Sequence, residues 1–559
     1  FSHLPFLGTP RVYEVIREKY FKVKVISFPL SDMRKSSTSL DFNNFEKAYK
    51  HKTIAELVNA LLVLRVCRVR KIVSNARYLV TLSYKILGET ITNWILRKTF
   101  YKHFCGGIDE AEVKLTMNRL KKVNIGTVLD YAAEAEVEER HTVPGGGDVS
   151  QDKVSARIYR YEDEKNCDVN AEIALRAVTS SAQHGTGDII LYDLKFFKII
   201  CLLESDGFAA LKITALTKPE LLEHMSLVIK ETKALFSSLV SSKETEESKE
   251  KTLTLAEFSK SLKQLKFQIS QEQINTIFKK INTSKTGAIK YDEWISYLEP
   301  TTLSMGVLSN FRNTPSLDEV SIGRVKNMFN RLEMIISCAQ RNKVKLLIDA
   351  EQSYIQPAID HLTLSLQRKY NKETPLIYTT IQGYLKNSHE NCKTSLNLAK
   401  REGWVFACKL VRGAYLVHER ARCQQFCYDC PVFSSVEETH KNYNDIALLL
   451  LSEYPRCKFM IASHNEDSAL LICREMDKRN ISKAEGGICF GQLLGMSDHI
   501  TYNLSQAGYK AYKYVPYGPV KEVLPYLIRR AEENSGLLDS TTKEMSFIRK
   551  ELYRRFRFW

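Results

Sequence analysis

From about residue 124 onward, short apolar runs rich in β-branched and aromatic residues alternate with longer stretches of helical periodicity. The runs are NIGTVLDYA (124–132), AALKITAL (209–216), VKLLIDAE (344–351), LIYTTIQGY (376–384), WVFACKLVRGAY (404–415), CKFMIASHN (457–465), GGICFGQLL (486–494) and KAYKYVPYG (510–518). Eight strand candidates, each followed by a helix-like stretch, predict an α/β fold of the (βα)8, TIM-like barrel type. A doubly wound sheet is the alternative. The chain has no GxGxxG turn of the kind such sheets use for dinucleotides, and Gly145–Gly147 sits in a polar loop.

The rhythm divides the chain. Residues 1–40 carry scattered basic and hydroxyl residues and read as an arm or a targeting remnant. Residues 41–123 read as an N-terminal helical region. In it Thr53 caps a helix, with Glu56 three residues on, ahead of the apolar run Leu57–Leu64. Residues 76–100 mix Leu, Ile and Tyr with Arg and Lys; core packing is expected of them, a membrane surface being the other reading. The barrel then occupies 124–234 and 311–559, interrupted at 235–310.

That interruption opens with SSLVSSKETEESKEKT, a charged linker. Two helical patterns follow around FKKINTSKTGAIKYDEW (278–294). The loop between them has EF-hand form, with Gly287 at position six and Glu293 at twelve. Asn282, Ser284 and Thr286 stand where carboxylates are usual, and Lys285 and Lys290 repel a cation. A folded EF-hand-like insertion with little or no calcium binding is expected.

The last strand candidate runs into GPVKEVLPYLIRRAEENSG (518–536). Pro519 suits a first helical turn and Gly536 a helix end. Tyr526, Arg529, Arg530 and Glu533 fall at i, i+3, i+4 and i+7, on one face. Paired guanidiniums can grip a planar carboxylate through parallel hydrogen bonds. On spacing alone, a solvated face with an Arg–Glu pair is the preferred reading.

Composition adds bounds. With 44% hydrophobic and 26% charged residues over 559 positions, the chain is ordinary for a large globular protein. A net charge of +16 admits an anionic membrane or nucleic acid without choosing between them. Thirteen cysteines at this length suggest a reducing compartment rather than a disulfide scaffold. The sequence starts at Phe1, so any transit peptide is expected to lie partly or wholly outside it.

In a (βα)8 barrel the chemistry gathers at the C-terminal ends of the strands. Those ends carry Glu134, Lys212, Asp349, Glu351, Gln382, Lys409, Arg412, Tyr415, Ser463, His464, Asn465 and Tyr514. A charge inside an apolar strand is costly unless paired, so Lys212 and Asp349 are expected to form a buried ion pair. Cys423, Cys427 and Cys430 have the C-x3-C-x2-C spacing of the iron–sulfur loop in radical S-adenosylmethionine enzymes. Such a loop normally follows the first strand of a barrel, whereas this one follows the fifth, and a cysteine-rich surface loop is preferred.

KLVRGAYL (409–416), ASHN (462–465), GQLLGM (491–496) and VPYGPVKEVLPYLIRRAEENSG (515–536) strongly resemble proline dehydrogenase, also called proline oxidase. LKITAL, LIDAE and the Gln of TTIQGYLK resemble it too. TFYKHFCGG (99–107) and LDYAAEAE (129–136) look like its eukaryotic, mitochondrial form, some animal members of which carry an insertion at this place. The resemblance implies a distorted barrel that holds FAD without a dinucleotide-binding turn. It implies oxidation of L-proline to Δ1-pyrroline-5-carboxylate by hydride transfer to flavin N5. Electrons then pass to a membrane quinone, with peripheral contact at the matrix side of the mitochondrial inner membrane and no nucleic-acid partner.

Carried onto this sequence, the resemblance assigns Arg529 and Arg530 to the substrate carboxylate. Lys212 and Asp349 become a pair below the substrate, Tyr415, Tyr514, Tyr526 and Leu493 its pocket, and Glu134 and Glu533 a gate. Gln382, Lys409, Arg412, Gly413, Ala414, Ser463, His464 and Asn465 fall around the flavin. Bacterial members have arginine at the Lys409 position; lysine keeps the charge and loses the fork. Hydroxyproline-oxidising relatives have a small residue at the Tyr514 position, so preference for proline is expected; a hydroxyproline-oxidising relative is the alternative, and a metal or radical barrel enzyme a more distant one.

Overall fold

In the computed structural model, which describes residues 40–132, 135–138, 155–158, 161–182, 207–240, 252–264, 269–296, 317–536 and 538–556, all eight apolar runs form strands. They are β1 (Ile125–Tyr131), β2 (Phe208–Leu211), β3 (Lys345–Ile348), β4 (Ile377–Gln382), β5 (Phe406–Val411), β6 (Cys457–Ala462), β7 (Ile488–Leu493) and β8 (Ala511–Tyr517). All neighbours are parallel, the order follows the chain, and β8 closes on β1 from Ile125↔Ala511 to Tyr131↔Tyr517. Parallel strands covered on both faces need apolar side chains on both, so they read as continuous runs rather than as alternations.

One residue from each strand fills the interior: Val128, Phe208, Leu347, Tyr378, Ala407, Met460, Cys489 and Tyr512. The Phe208 ring meets Tyr378 and Tyr512 edge-on, with centroids 5.4 and 5.1 Å away. Side chains along a strand alternate, so the next inward position lies two residues further on. Four of those positions are Asp130, Asp349, Lys409 and Tyr514. A polar layer thus lies directly above an apolar plug, toward the C-terminal ends.

Before the barrel come α1 (Ile54–Cys67) and α2 (Ala76–Leu96); after it come α3 (Val520–Gly536) and α4 (Leu538–Phe556). Thr53 and Glu56 form the expected capping box at the head of α1. Rather than lying against the barrel wall, α3 packs Val523, Tyr526, Leu527 and Ala531 against Val63, Tyr101, Phe104, Ala132 and Met496. Ala132 and Met496 lie just beyond the ends of β1 and β7, so α3 roofs the barrel mouth. TFYKHFCGG is the seam: Gly106 N–H donates to Pro516 O, Gly518 N–H to Gly107 O and the Tyr101 hydroxyl to Gly518 O. In turn α4 holds α1, with Met545, Phe547 and Ile548 against Leu57, Ala60 and Leu64, and Arg555 donating to Tyr49 O and Lys52 O.

The interruption has a core of its own. Leu253, Phe258, Ile277, Phe278, Ile289 and Trp294 pack on Phe236, Leu239 and Val240, at the end of the helix that follows β2, and Trp294 Nε1 donates to Thr232 O. Thr252–Thr254 pairs antiparallel with Ala288–Lys290. The helix after β2 runs from Pro219 to Val240, so residues 237–240, read as linker, form its last turn.

The core packing expected of residues 76–100 is found at Phe100, which packs on the cluster under α3, but hardly at all in α2. Within α2 only Thr92 is buried, while Tyr78, Ile86, Ile91 and Trp94 are each more than half exposed. Residues 1–39 and Glu134 lie outside the described residues.

Candidate active site

Asp349, at the end of β3, is the hub of the mouth. Lys212 Nζ lies 3.2 Å from Asp349 Oδ2, the pair expected from the two strands. Lys409, two residues above the apolar plug on β5, donates to Asp349 Oδ1, and the Tyr514 hydroxyl on β8 donates to Oδ2 at 2.9 Å. Burial by itself would raise the Asp349 carboxyl; Lys409 and Lys212 outweigh it and hold the group down to about 2. Asp130 on β1 completes the row, 3.8 Å from Lys212.

Asp130 is not among the strand-end candidates named from the sequence, where Glu134 stands for the first strand. Yet Asp130 sits inside TVLDYA as Asp349 sits inside LLIDAE, and the rule that singled out Asp349 would have found it. What no strand shows by itself is which neighbours meet across the barrel, as Lys409 and Tyr514 meet at Asp349.

A second group gathers beyond the ends of β5 and β6. The Arg412 guanidinium stacks on the Tyr443 ring, 4.2 Å from its centroid. It donates to His440 Nδ1 at 3.0 Å, to Ser468 Oγ at 2.8 Å and to Ser463 Oγ. Among the described residues no carboxylate pairs with it, and burial lowers its pKa. A half-buried cation with no carboxylate partner among the described residues, beside an exposed Gly413–Ala414 step, is an anion site in waiting. Gly413 is obligatory there: its φ is +141°, and a Cβ would come within 2.4 Å of the Tyr384 ring. Asn465 has a structural duty, its side chain capping the next helix at Ser468 N. His464 is pushed down to about 3 by burial, with Lys513 and Arg530 acting the same way. Its neutral ring lies 3.0 Å from Ser497 Oγ through Nδ1 and accepts from Leu493 N through Nε2. Gln382 Nε2 donates to Glu351 O.

The third group is the roof. Tyr526, Arg529, Arg530 and Glu533 share one face of α3, with the Arg529 and Arg530 guanidiniums 5.8 and 4.9 Å from the Tyr526 ring centroid. Glu533 accepts from Arg530 at 2.6 Å. Leu493 packs on the same cluster. Arg530 Nε and Tyr526 Oη are buried without a hydrogen-bond partner among the described residues. A buried polar atom left unpaired is costly, and a bound ligand relieves it. Tyr415 is buried at the head of the helix after β5, at the same end of the barrel.

Cys423, Cys427 and Cys430 lie on that helix and just beyond it. Cys423 and Cys427 donate to the local carbonyls of Arg420 and Gln424. In the insertion, Glu293 spends both oxygens within its own loop, on Thr283 Oγ1, Ser284 N and Lys290 N.

A profile of the proline dehydrogenase family matches residues 222–543. Proline dehydrogenase 1, mitochondrial, of Homo sapiens is 34% identical over 560 aligned residues, which cover 93% of this chain and 90% of that protein. Its counterpart of the same name in Caenorhabditis elegans is 33% identical, over 92% of this chain and 88% of that one. Among solved structures, proline utilization A from Bdellovibrio bacteriovorus, inactivated by N-propargylglycine, aligns with a TM-score of 0.49 and 17% identity, over 90% of this chain and 40% of that one.

Proposed function

The chain belongs to the proline dehydrogenase family, and from that premise we propose that it carries out the FAD-dependent oxidation of L-proline to Δ1-pyrroline-5-carboxylate and passes the electrons to a membrane quinone. It is an oxidoreductase of the first step of proline catabolism. The observation that carries the finer reading is the roof of the mouth. There Arg530 Nε and Tyr526 Oη are buried without a hydrogen-bond partner among the described residues, on the face of α3 that also bears Arg529.

Arg529 and Arg530 bind the proline carboxylate, each guanidinium offering hydrogen bonds in a fixed plane. Glu533 holds Arg530 in position and, with Glu134, acts as a gate. Tyr415, Tyr514, Tyr526 and Leu493 shape the space for the pyrrolidine ring and keep water from it. Lys212, Asp349 and Lys409 lie beneath, with Asp349 kept ionised by its two lysines. Proline reacts as the neutral amine.

Family membership implies a flavin, and the residues present fit one. Arg412, with no carboxylate of its own among the described residues, suits a phosphate. Gln382, Lys409, Gly413, Ala414, Ser463, His464 and Asn465 surround it at the strand ends. Bound there, FAD supplies the two-electron acceptor for the hydride leaving proline C5.

Mitochondrial residence, with peripheral contact at the matrix side of the inner membrane, fits the mitochondrial relatives, and no helix among the described residues is long and apolar enough to cross a bilayer. The insertion is read as EF-hand-like and without calcium, because Glu293, the acidic residue at position twelve, is already bonded inside its loop. The deciding experiment is purification followed by addition of proline under exclusion of oxygen. A yellow chromophore should bleach with proline and far less with hydroxyproline. Broad iron–sulfur absorption, or a chromophore indifferent to proline, would overturn the reading.

A further inference from the structure

Much of α2 is surface, and its surface is apolar. The helix breaks at Gly88, where φ is +76° and ψ is 166°. Tyr84 Oη nevertheless donates to Asn93 Oδ1 at 2.9 Å. Nine residues of straight helix would separate their backbones by about 13.5 Å along the axis, so the bond is made by chain folding back at Gly88. Ile86, 70% exposed, and Leu87 therefore stand at the tip of a helical hairpin, with Ile91 and Trp94 on its returning arm.

The chain on either side of this tip carries charge of one sign. Between Leu57 and Ile108 the chain has nine basic residues, from Arg65 to Lys102, all exposed, against one acid, Glu89. Glu89 itself lies 3.7 Å from Lys521, at the head of α3, so the hairpin stands beside the helix that roofs the mouth.

We propose that the α2 hairpin is a monotopic anchor that inserts Ile86, Leu87, Ile91 and Trp94 into an anionic lipid bilayer and seats the barrel mouth against the leaflet. A short apolar tip, the exposed Trp94 indole and Tyr78 phenol, and exposed lysines and arginines in the flanking chain match the chemistry of an anionic interface. A second copy of the same surface would bring like charges face to face, which opposes self-association. The inference rests on the proposed delivery of electrons to a membrane quinone and gives that delivery its route, since a hydrophobic acceptor in that leaflet would reach the mouth beside α3.

The test uses the full-length flavoprotein in flotation assays with phosphatidylcholine vesicles, with and without phosphatidylglycerol. Anionic vesicles should bind at least about tenfold better than neutral ones. The double substitution Ile86→Asp and Ile91→Asp should weaken binding at least about tenfold, as expected for removing two apolar side chains from lipid. Arg70→Glu with Lys71→Glu and Lys98→Glu should erase the preference for anionic lipid. Quenching of tryptophan fluorescence by brominated lipid should fall in Trp94→Phe. Proline oxidation with a soluble dye should be unchanged in every variant, while oxidation coupled to vesicle-held quinone falls with binding. Unaltered vesicle binding in the aspartate variant overturns the proposal, as does a solution dimer that this variant splits. Loss of dye-coupled activity in the unsubstituted protein would instead count against the assigned reaction, leaving the lipid result to stand by itself.

Discussion

The Tyr514 hydroxyl donates to Asp349 Oδ2 at 2.9 Å, joining β8 to β3 over the apolar plug. The phenol ring also faces Lys409, whose ammonium lies 5.3 Å from its centroid. Tyr514 is therefore fixed at both its edge and its face, and on the proposed reading it would take up the room that a 4-hydroxyl on the substrate ring needs. Replacing it by serine removes the ring and opens that space. Tyr514→Ser should shift the ratio of kcat/KM for hydroxyproline over proline upward by at least about tenfold, the scale expected of a pocket that gains room and a polar group. Steady-state rates on both substrates check this; an unchanged ratio removes Tyr514 from substrate choice.

The roof arginines should act on binding more than on flavin. Losing a charge-assisted hydrogen bond to a carboxylate costs about 2 kcal/mol, or roughly 30-fold. Arg529→Met and Arg530→Met should each raise KM for proline by that order while flavin content per chain stays constant. A flat KM in both variants would falsify the carboxylate clamp.

Arg412→Ala should do the reverse. It removes the cation that lacks a carboxylate partner among the described residues, so the protein should be purified with little flavin and should need about tenfold to hundredfold more FAD to regain its colour. The absorbance ratio between the flavin band and the protein band measures it. Full flavin content as purified would place the phosphates elsewhere.

His103 gives acid sensitivity with a defined sign. Burial pushes its imidazole down to about 3, with Lys52 adding to the effect. Unfolded, the ring titrates near about 6.5. Between these values the unfolded chain binds a proton that the folded chain refuses, so stability falls as pH drops from about 6.5 toward about 3. For one such group the loss is about 1.4 kcal/mol per pH unit. Urea midpoints measured from pH 7 to 4 should show a slope that flattens by about one proton in His103→Gln. An identical slope in both proteins would mean that the ring is protonated in the fold.

Calcium should find no site in the insertion. Glu293 accepts from Ser284 N at 2.7 Å and Lys290 N at 2.9 Å, and a cation would have to displace both bonds without a second carboxylate to help. Calorimetric titration of the whole protein should give no saturable heat; binding in the micromolar range would show that the loop rearranges.

The barrel was legible because its strands are buried on both faces, which leaves few polar residues to interrupt the runs. The same purity made Lys212 and Asp349 conspicuous, and would have done so for Asp130 had the end of the run not drawn attention to Glu134. Residue spacing on α3 gave the shared face of Tyr526, Arg529, Arg530 and Glu533, because helical period is local. Where α3 sits is not local: it depends on Ala132, Met496 and the 99–107 segment, distant in sequence. The case of α2 is the converse. An apolar helix announces that it wants a cover and says nothing of what supplies it, and the fold-back at Gly88 is carried by a single glycine and a Tyr84–Asn93 bond.

The grip of α4 on α1 bears on how the molecule is made. All eight strands precede Leu538, so the barrel strands are synthesised, and can begin to pair, before α4 (Leu538–Phe556) is. Until α4 emerges, however, Leu57, Ala60 and Leu64 have nothing from Met545, Phe547 and Ile548 to rest on. The support beneath the enclosure is thus completed later than the strands it covers, which leaves an interval in which a bulky cofactor can enter through a doorway not yet shut.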